Sequence, residues 1–133
     1  YIVNAAGRNA NFLLNVGPMP NGKIQSEFTD TLKEVGKWMK KYGESIYGTR
    51  GNIMPPQDWG VVTSIDKTIY IHILKDPGQT SIRIEGITGK IKNCQLMGIN
   101  QNIKFKQDKN DVTINLDGIA LDDVDTIVQM ETK

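Results

Sequence analysis

The chain has 133 residues, of which 38% are hydrophobic and 23% are charged, and its formal net charge is +1. This length is sufficient for a domain with its own apolar core. A charge so close to zero gives no electrostatic reason to expect nucleic acid or an anionic membrane as a partner. No apolar run is long enough to span a bilayer, and the single cysteine, Cys94, excludes an internal disulfide and a cysteine metal cluster.

The first predicted elements are a short helix and a buried strand. Residues 1–6 are predicted to be the last turns of a helix that ends at Gly7. In residues 11–16 the side chains of Phe12, Leu13, Leu14 and Val16 are apolar at nearly every position, a pattern typical of a parallel strand buried on both faces. Such a strand needs neighbours on both sides. We therefore expect the chain to be the C-terminal piece of a larger enzyme, with this strand at the end of its catalytic barrel.

A longer helix is predicted over residues 26–42, after a stiff loop that contains Pro18 and Pro20. Its apolar residues recur at spacings of three and four, which forms one continuous stripe: Phe28, Leu32, Val35, Met39 and Tyr42. Gly36 inside a helix costs about 1 kcal/mol relative to alanine, so we expect another element to approach closely there. The strand, loop and helix together are predicted to form one βα unit.

After a linker at residues 51–57 the apolar period changes to two. Ile69, Ile71 and Ile73 alternate with other residues, and similar alternation recurs up to residue 130 between turn signals. About seven short strands at this spacing predict an antiparallel β-sandwich. The predicted fold class is mainly β. Residues 58–133 are a C-terminal antiparallel β-sandwich, preceded in residues 1–57 by one βα unit of the kind that ends a (β/α)8-like barrel.

Candidate substrate-binding residues follow from this barrel interpretation. The C-terminal end of a barrel strand faces the active site, so Asn15, Gly17 and Pro18 would lie at its rim or floor. The alternative is that Asn15 satisfies a buried backbone group or holds the Gly-Pro turn.

The fifteen Asp and Glu residues offer no convincing pair of the kind that retaining glycoside hydrolysis uses, with carboxyl groups about 5 Å apart. The carboxylates of the 26–42 helix lie on its polar side, and we expect them to be solvated. Asp122, Asp123 and Asp125 cluster before the last predicted strand, where surface charge explains them better than calcium binding. We predict no catalytic residue in this chain, no metal and no other cofactor.

The remaining chemically distinctive side chains have structural explanations. His72 has no second histidine or cysteine with which to hold a metal, so we expect it to be structural or exposed. Trp59, Tyr70 and Tyr47 could stack on sugar rings or pack the joint between the helical part and the sandwich, and their clustering around the linker favours the joint. We expect Trp38 and Tyr47 to be mostly buried, and Cys94 to be a small buried or half-buried residue.

Residues 7–18, Gly-Arg-Asn-Ala-Asn-Phe-Leu-Leu-Asn-Val-Gly-Pro, resemble a motif of the α-L-fucosidases of glycoside hydrolase family 29. Residues 21–24 and 46–50 continue that pattern in order, and residues 59–72 resemble the opening of the family's C-terminal sandwich. The resemblance is specific over residues 7–50 and looser after residue 75. Phe12 stands where leucine is usual and Ala10 where glycine is usual.

The resemblance implies a parent enzyme that cleaves terminal α-L-fucose from glycans with retention, using an aspartate nucleophile and a carboxyl acid/base. Those residues would lie upstream, so this chain would be an inactive scaffold. Its implied partner is the upstream barrel of the same protein, with self-association as a second option. A periplasmic, extracellular or lysosomal location is implied as well. The rival function is a non-catalytic carbohydrate-binding or structural sandwich, and an exposed, coplanar aromatic pair on the sandwich would favour sugar binding.

Overall fold

Eight strands form two antiparallel sheets in the computed structural model, which describes residues 1–133. The larger sheet contains, in spatial order, β1 (Gly60–Ile65), β2 (Thr68–Ile73), β8 (Thr126–Thr132), β4 (Ile91–Leu96) and β5 (Gln101–Asn102). The smaller sheet contains β3 (Ser81–Ile84), β7 (Asp111–Asn115) and β6 (Phe105–Asp108). The predicted class, a mainly β chain with antiparallel sheets, is confirmed.

The core lies between the two sheets and is almost entirely aliphatic. Ile71 and Ile73 of β2 meet Ile82 and Ile84 of β3 in one cluster of buried residues, each of them at most 1% exposed. Full burial of such a side chain stabilises the fold by about 1.5–3 kcal/mol relative to exposure. In the smaller sheet the alternation is simple, since Arg83 between the two β3 isoleucines is exposed.

β2 departs from this alternation because both of its faces are covered. Tyr70 is 4% exposed and His72 is 0% exposed, although both point away from the inter-sheet core. The outer face that they share is covered by α1 (Ile2–Gly7), which packs on β1, and by a 3₁₀ turn at Gly43–Ser45.

α2 spans Ser26–Tyr42, which matches the predicted helix. Lys40 and Lys41 lie in its last turn, where positive charge favours the helix dipole. None of its residues is fully buried, and Phe28 of the predicted stripe is 42% exposed. The expected close approach at Gly36 is wrong within this chain, because no atom lies within 4 Å of the position that a Cβ would take.

The strand predicted at residues 11–16 is not formed. These residues follow an irregular path between the two helices, and Phe12, Leu13 and Leu14 are 41%, 91% and 49% exposed. A parallel strand takes its backbone hydrogen bonds from neighbouring strands, and no strand of this chain lies beside the segment. The apolar pattern therefore marks a surface that needs cover, and this chain does not supply it.

Neither helix combines the length and the apolar character required to cross a membrane. No three His, Cys, Asp or Glu side chains converge so that they could hold a metal ion. Cys94 is a free thiol and only 3% exposed, as expected, and burial raises its pKa to about 12. A thiol in that state is not a nucleophile at neutral pH.

Candidate functional site

An apolar groove of about 670 Å³ lies between the helical residues and the sandwich. α1 contributes Ile2 and Val3, the irregular segment contributes Phe12 and Leu14, and α2 contributes Trp38. We call this feature the α1–α2 groove. Most of its lining residues are hydrophobic, which is typical of a surface that packs against another apolar surface.

Large apolar side chains of the groove lining, and others in the irregular residues between the two helices, are also exposed. Tyr1 is 98% exposed and stacks on Phe12 with the ring centroids 6.4 Å apart and the planes 7° apart. Leu13 is 91% exposed, and Ile24 is 45% exposed. Monomeric soluble proteins rarely expose contiguous apolar surface of this kind, so this face is a candidate interaction surface.

A buried polar network fastens the end of α2 to the sandwich. Thr63 Oγ1 on β1 donates a hydrogen bond to the Ser45 carbonyl oxygen at 2.7 Å and lies 3.2 Å from His72 Nε2. His72 Nδ1 lies 2.7 Å from Asp125 Oδ2, and both side chains are at most 1% exposed. We call Ser45, Thr63, His72 and Asp125 the buried network. Such groups are rarely buried without partners, so the side chains of Thr63, His72 and Asp125 and the Ser45 carbonyl specify one another's positions.

Burial raises the pKa of the Asp125 carboxyl. The hydrogen bond and the charge of His72 act in the opposite direction, and the nearby Asp122 carboxylate raises the pKa further. Asp125 Oδ1 is buried and has no hydrogen-bond partner in this chain, and Asp125 also lines the α1–α2 groove. The expectation that Asp125 is surface charge is therefore wrong, because its residue is 5% exposed and its carboxylate is committed to His72.

Glycines bring α1 and the residue 50–52 segment against the sandwich. A Cβ on Gly7 would overlap the Val61 side chain, and a Cβ on Gly51 would overlap the backbone of Gly7. Asn9 bonds Gly51 in both directions, accepting from its N–H at 2.8 Å and donating to its carbonyl at 3.2 Å. These contacts hold the helical residues on the outer face of the larger sheet.

The predicted substrate-binding residues Asn15, Gly17 and Pro18 are all exposed and belong to the irregular segment. They lie outside the α1–α2 groove, and their role at a barrel rim stays a prediction. Tyr47 is 67% exposed, so the expectation that it is buried is wrong. Trp38 is half-buried, and its ring packs against Tyr42 at a centroid distance of 5.5 Å.

The sequence alone indicates no role for Thr63 or Ser45. The sequence contains one clue to their neighbour His72. His72 lies on the opposite face of its strand from the isoleucines, so that second face also needs a structural explanation. The partner could not be found in this way, because Asp125 is 53 residues away along the chain.

Residues 1–44 match the family model described as Alpha-L-fucosidase. Among curated relatives, the α-L-fucosidase of Dictyostelium discoideum is 27% identical over 138 residues, which covers 92% of this chain and 29% of the relative. Human tissue α-L-fucosidase is 28% identical over 118 residues, which covers 80% of this chain and 24% of the relative.

Solved structures match over nearly the whole chain. The α-L-fucosidase isoenzyme 1 from Paenibacillus thiaminolyticus superposes with a TM-score of 0.82 at 30% identity, covering 98% of this chain and 32% of that one. The GH29 α-L-fucosidase from Bacteroides thetaiotaomicron gives a TM-score of 0.84 at 20% identity, which shows the fold alone, and covers 98% of this chain and 30% of that one. This chain spans less than a third of the length of these relatives. Family match, relatives and fold agree that this chain is similar to the α-L-fucosidases of glycoside hydrolase family 29, and that it matches a segment in their C-terminal region.

Proposed function

We propose that this chain is the C-terminal scaffold of a retaining exo-α-L-fucosidase that hydrolyses terminal α-L-fucose from glycans. In this proposal residues 1–57 complete the catalytic barrel, and residues 58–133 form the sandwich that supports it. The observation that carries the scaffold role is the apolar face around the α1–α2 groove. It includes Tyr1 and Leu13, which are 98% and 91% exposed, and a neighbouring barrel would cover it.

The carboxylates of the chain support a catalytic centre that lies elsewhere in the parent protein. Retaining hydrolysis needs a nucleophile and an acid/base about 5 Å apart across one sugar. On α2, Asp30 is paired with Lys33 at 3.0 Å and Glu34 with Lys37 at 2.6 Å, all on exposed surface. Asp125 is buried against His72. We therefore expect the 133-residue chain to have no fucosidase activity by itself.

Cover by the barrel would also give the irregular segment its predicted role. With parallel neighbours on both sides, residues 11–16 would gain the backbone partners that a strand requires. Asn15, Gly17 and Pro18 would then stand at the strand end that faces the active site. We expect them to contribute to its rim or floor.

The alternative of a sugar-binding sandwich has weaker support. The two stacked or tilted aromatic pairs, Tyr1–Phe12 and Trp38–Tyr42, both lie within residues 1–57 and outside the sandwich. A depression of about 440 Å³ beside β6 contains one aromatic residue, Phe105. Phe105 is directly opposite Ile114, so the two share the core-facing side of the sheet. Phe105 is 38% exposed, but no second aromatic residue lines this depression to form a coplanar pair with it.

Two purified proteins test the activity proposal: the 133-residue chain and the longer parent polypeptide. An aryl α-L-fucoside should be hydrolysed by the parent and not by the chain. Turnover by the chain that survives removal of any full-length enzyme would overturn the proposal, and Glu44 and Asp58 would be the first residues to mutate.

A matched pair of substitutions tests the scaffold role in the parent. Leu13 and Ile99 are both exposed in this chain, at 91% and 65%, but only Leu13 is expected to be covered by the barrel. Burying an unpaired carboxylate is strongly unfavourable, so Leu13→Asp should lower the melting temperature of the parent and Ile99→Asp should not. In the 133-residue chain neither change should matter. Equal effects of both substitutions in the parent would contradict the scaffold role.

A further inference from the structure

The direction of one hydrogen bond fixes where protons lie in the buried network. A carbonyl oxygen only accepts, so the single hydroxyl proton of Thr63 lies in its 2.7 Å bond to Ser45. The Thr63 oxygen can then only accept from His72 Nε2, 3.2 Å away, and Nε2 must carry a proton. His72 Nδ1 and Asp125 Oδ2 are 2.7 Å apart. Two lone pairs would repel at that distance, so a second proton lies between them.

We propose that Thr63, His72 and Asp125 are positioning residues that form a proton-dependent latch. The Thr63 hydroxyl holds the Ser45 carbonyl only while the His72–Asp125 pair keeps both of these protons. This inference concerns the folded chain itself and does not depend on fucosidase activity.

When the His72–Asp125 pair loses one of its two protons, the donor and acceptor roles along the hydrogen-bonded network reverse. The remaining proton belongs on Nδ1, where it pairs with the Asp125 carboxylate, and Nε2 then becomes an acceptor. The Thr63 hydroxyl is the donor 3.2 Å from Nε2, and when it turns to the ring it leaves the Ser45 carbonyl. Ser45 is 0% exposed, so an acceptor that loses its donor there is strongly disfavoured.

The latch acts on the end of α2. Gly43–Ser45 follows Tyr42 directly, and the Ser45 hydroxyl donates to the Tyr42 carbonyl at 2.7 Å. Release of the Ser45 carbonyl therefore loosens the turn that joins α2 to the outer face of the larger sheet. The orientation of α2 relative to the sandwich is then less restricted.

Burial favours the latched form. The pair is neutral overall with two protons and carries one negative charge with a single proton, and a buried site disfavours net charge. Burial is also the main cause that raises the pKa of Asp125, and a raised pKa likewise favours the protonated pair. The other titratable or charged groups that face this region belong to the first residue, the neighbouring loop, β2, β8, the 3₁₀ turn and α2: Tyr1, Asp122, Tyr70, Glu131, Glu44, Glu34, Lys37 and Lys41.

The test is an NMR titration of the 133-residue chain from acidic to alkaline pH, over the range in which it stays folded. His72 is the only histidine, so its ring nitrogen signals are unambiguous. The Nε2 signal reports whether this nitrogen carries its proton at each pH. The carbonyl carbon signal of Ser45 should move with the same midpoint. Amide exchange protection at Ile46 and Tyr47 should fall by about tenfold, the scale of one buried hydrogen bond.

Two variants separate the latch from a passive buried cluster. Thr63→Val removes the hydroxyl at nearly constant shape, so the Ser45 signal should become independent of pH. Thr63→Ser keeps the hydroxyl and should retain the coupled transition, which decides the matter if the valine variant does not fold. The latch is overturned if Nε2 loses its proton while the Ser45 signal stays fixed, or if the ring does not titrate at all in the folded chain.

Discussion

Replacing Gly51 with alanine should push α1 away from the sandwich. A Cβ at this position would overlap the carbonyl group of Gly7, which is backbone and cannot rotate aside as a flexible side chain could. Gly7 cannot retreat either, because it already lies against Val61 without room for a Cβ. The least costly response is a shift of α1 that breaks the two hydrogen bonds between Asn9 and Gly51.

Overpacking of this kind costs about 1–3 kcal/mol and each of the two lost hydrogen bonds about 0.5–1.5 kcal/mol, so Gly51→Ala should lose about 2–6 kcal/mol. An unfolding entropy of about 2.1 cal/mol/K per residue makes 1 kcal/mol equivalent to about 3.6 °C for 133 residues. The melting temperature measured by circular dichroism should therefore fall by about 7–22 °C.

Gly36→Ala is the matched control, because it adds the same methyl group where no atom lies within 4 Å. It should raise the stability by about 1 kcal/mol, the helix preference of alanine over glycine. If Gly51→Ala melted at the wild-type temperature, α1 would not be held against the residue 50–52 segment, and the close contact between Gly51 and Gly7 would be refuted.

Three further outcomes can be checked on the same chain. Cys94, with its pKa raised to about 12 by burial, should react with a thiol reagent only at the rate at which the chain unfolds. The pKa of Asp125 is raised in the folded chain, so protonation of Asp125 stabilises the fold. This stabilisation should be full below the ordinary pKa of 3.8 and should be lost as the pH rises through the higher folded pKa. The stability of Asp125→Asn, measured by urea unfolding, should lack this pH dependence. Met130→Ala, at a side chain that is 0% exposed, should cost about 2–5 kcal/mol in urea unfolding, whereas Ile99→Ala, at 65% exposure, should change the stability by less than about 0.5 kcal/mol.

The elements that depend on local periodicity were predictable from the sequence. The spacing of Phe28, Leu32 and Val35 places α2 at residues 26–42, where it is found. The alternation around Arg83 identifies the core-facing isoleucines of β3. In both cases a single face is apolar, so the spacing of the apolar residues predicts the type of element and the face that it buries.

Features that depend on distant partners were not predictable in the same way. Residues 11–16 have the composition of a buried strand, but strand formation depends on neighbours that this chain lacks. His72 is buried because the 3₁₀ turn and α1 cover its face, and its pairing with Asp125 depends on the position of β8 beside β2. The local sequence around either residue contains no signal of that arrangement.

The position of β8 has a consequence for the order of events during synthesis. β8 lies between β2 and β4 and is hydrogen-bonded to both. The larger sheet is therefore divided into β1-β2 and β4-β5 until residues 126–132 have left the ribosome. Asp125, next to β8, arrives at the same moment, so the partner of His72 emerges together with the strand that joins the two parts of the sheet. Closure of the sandwich and docking of α2 should thus occur together once β8 is available, and a ribosome stalled before residue 126 should carry a chain in which both are incomplete.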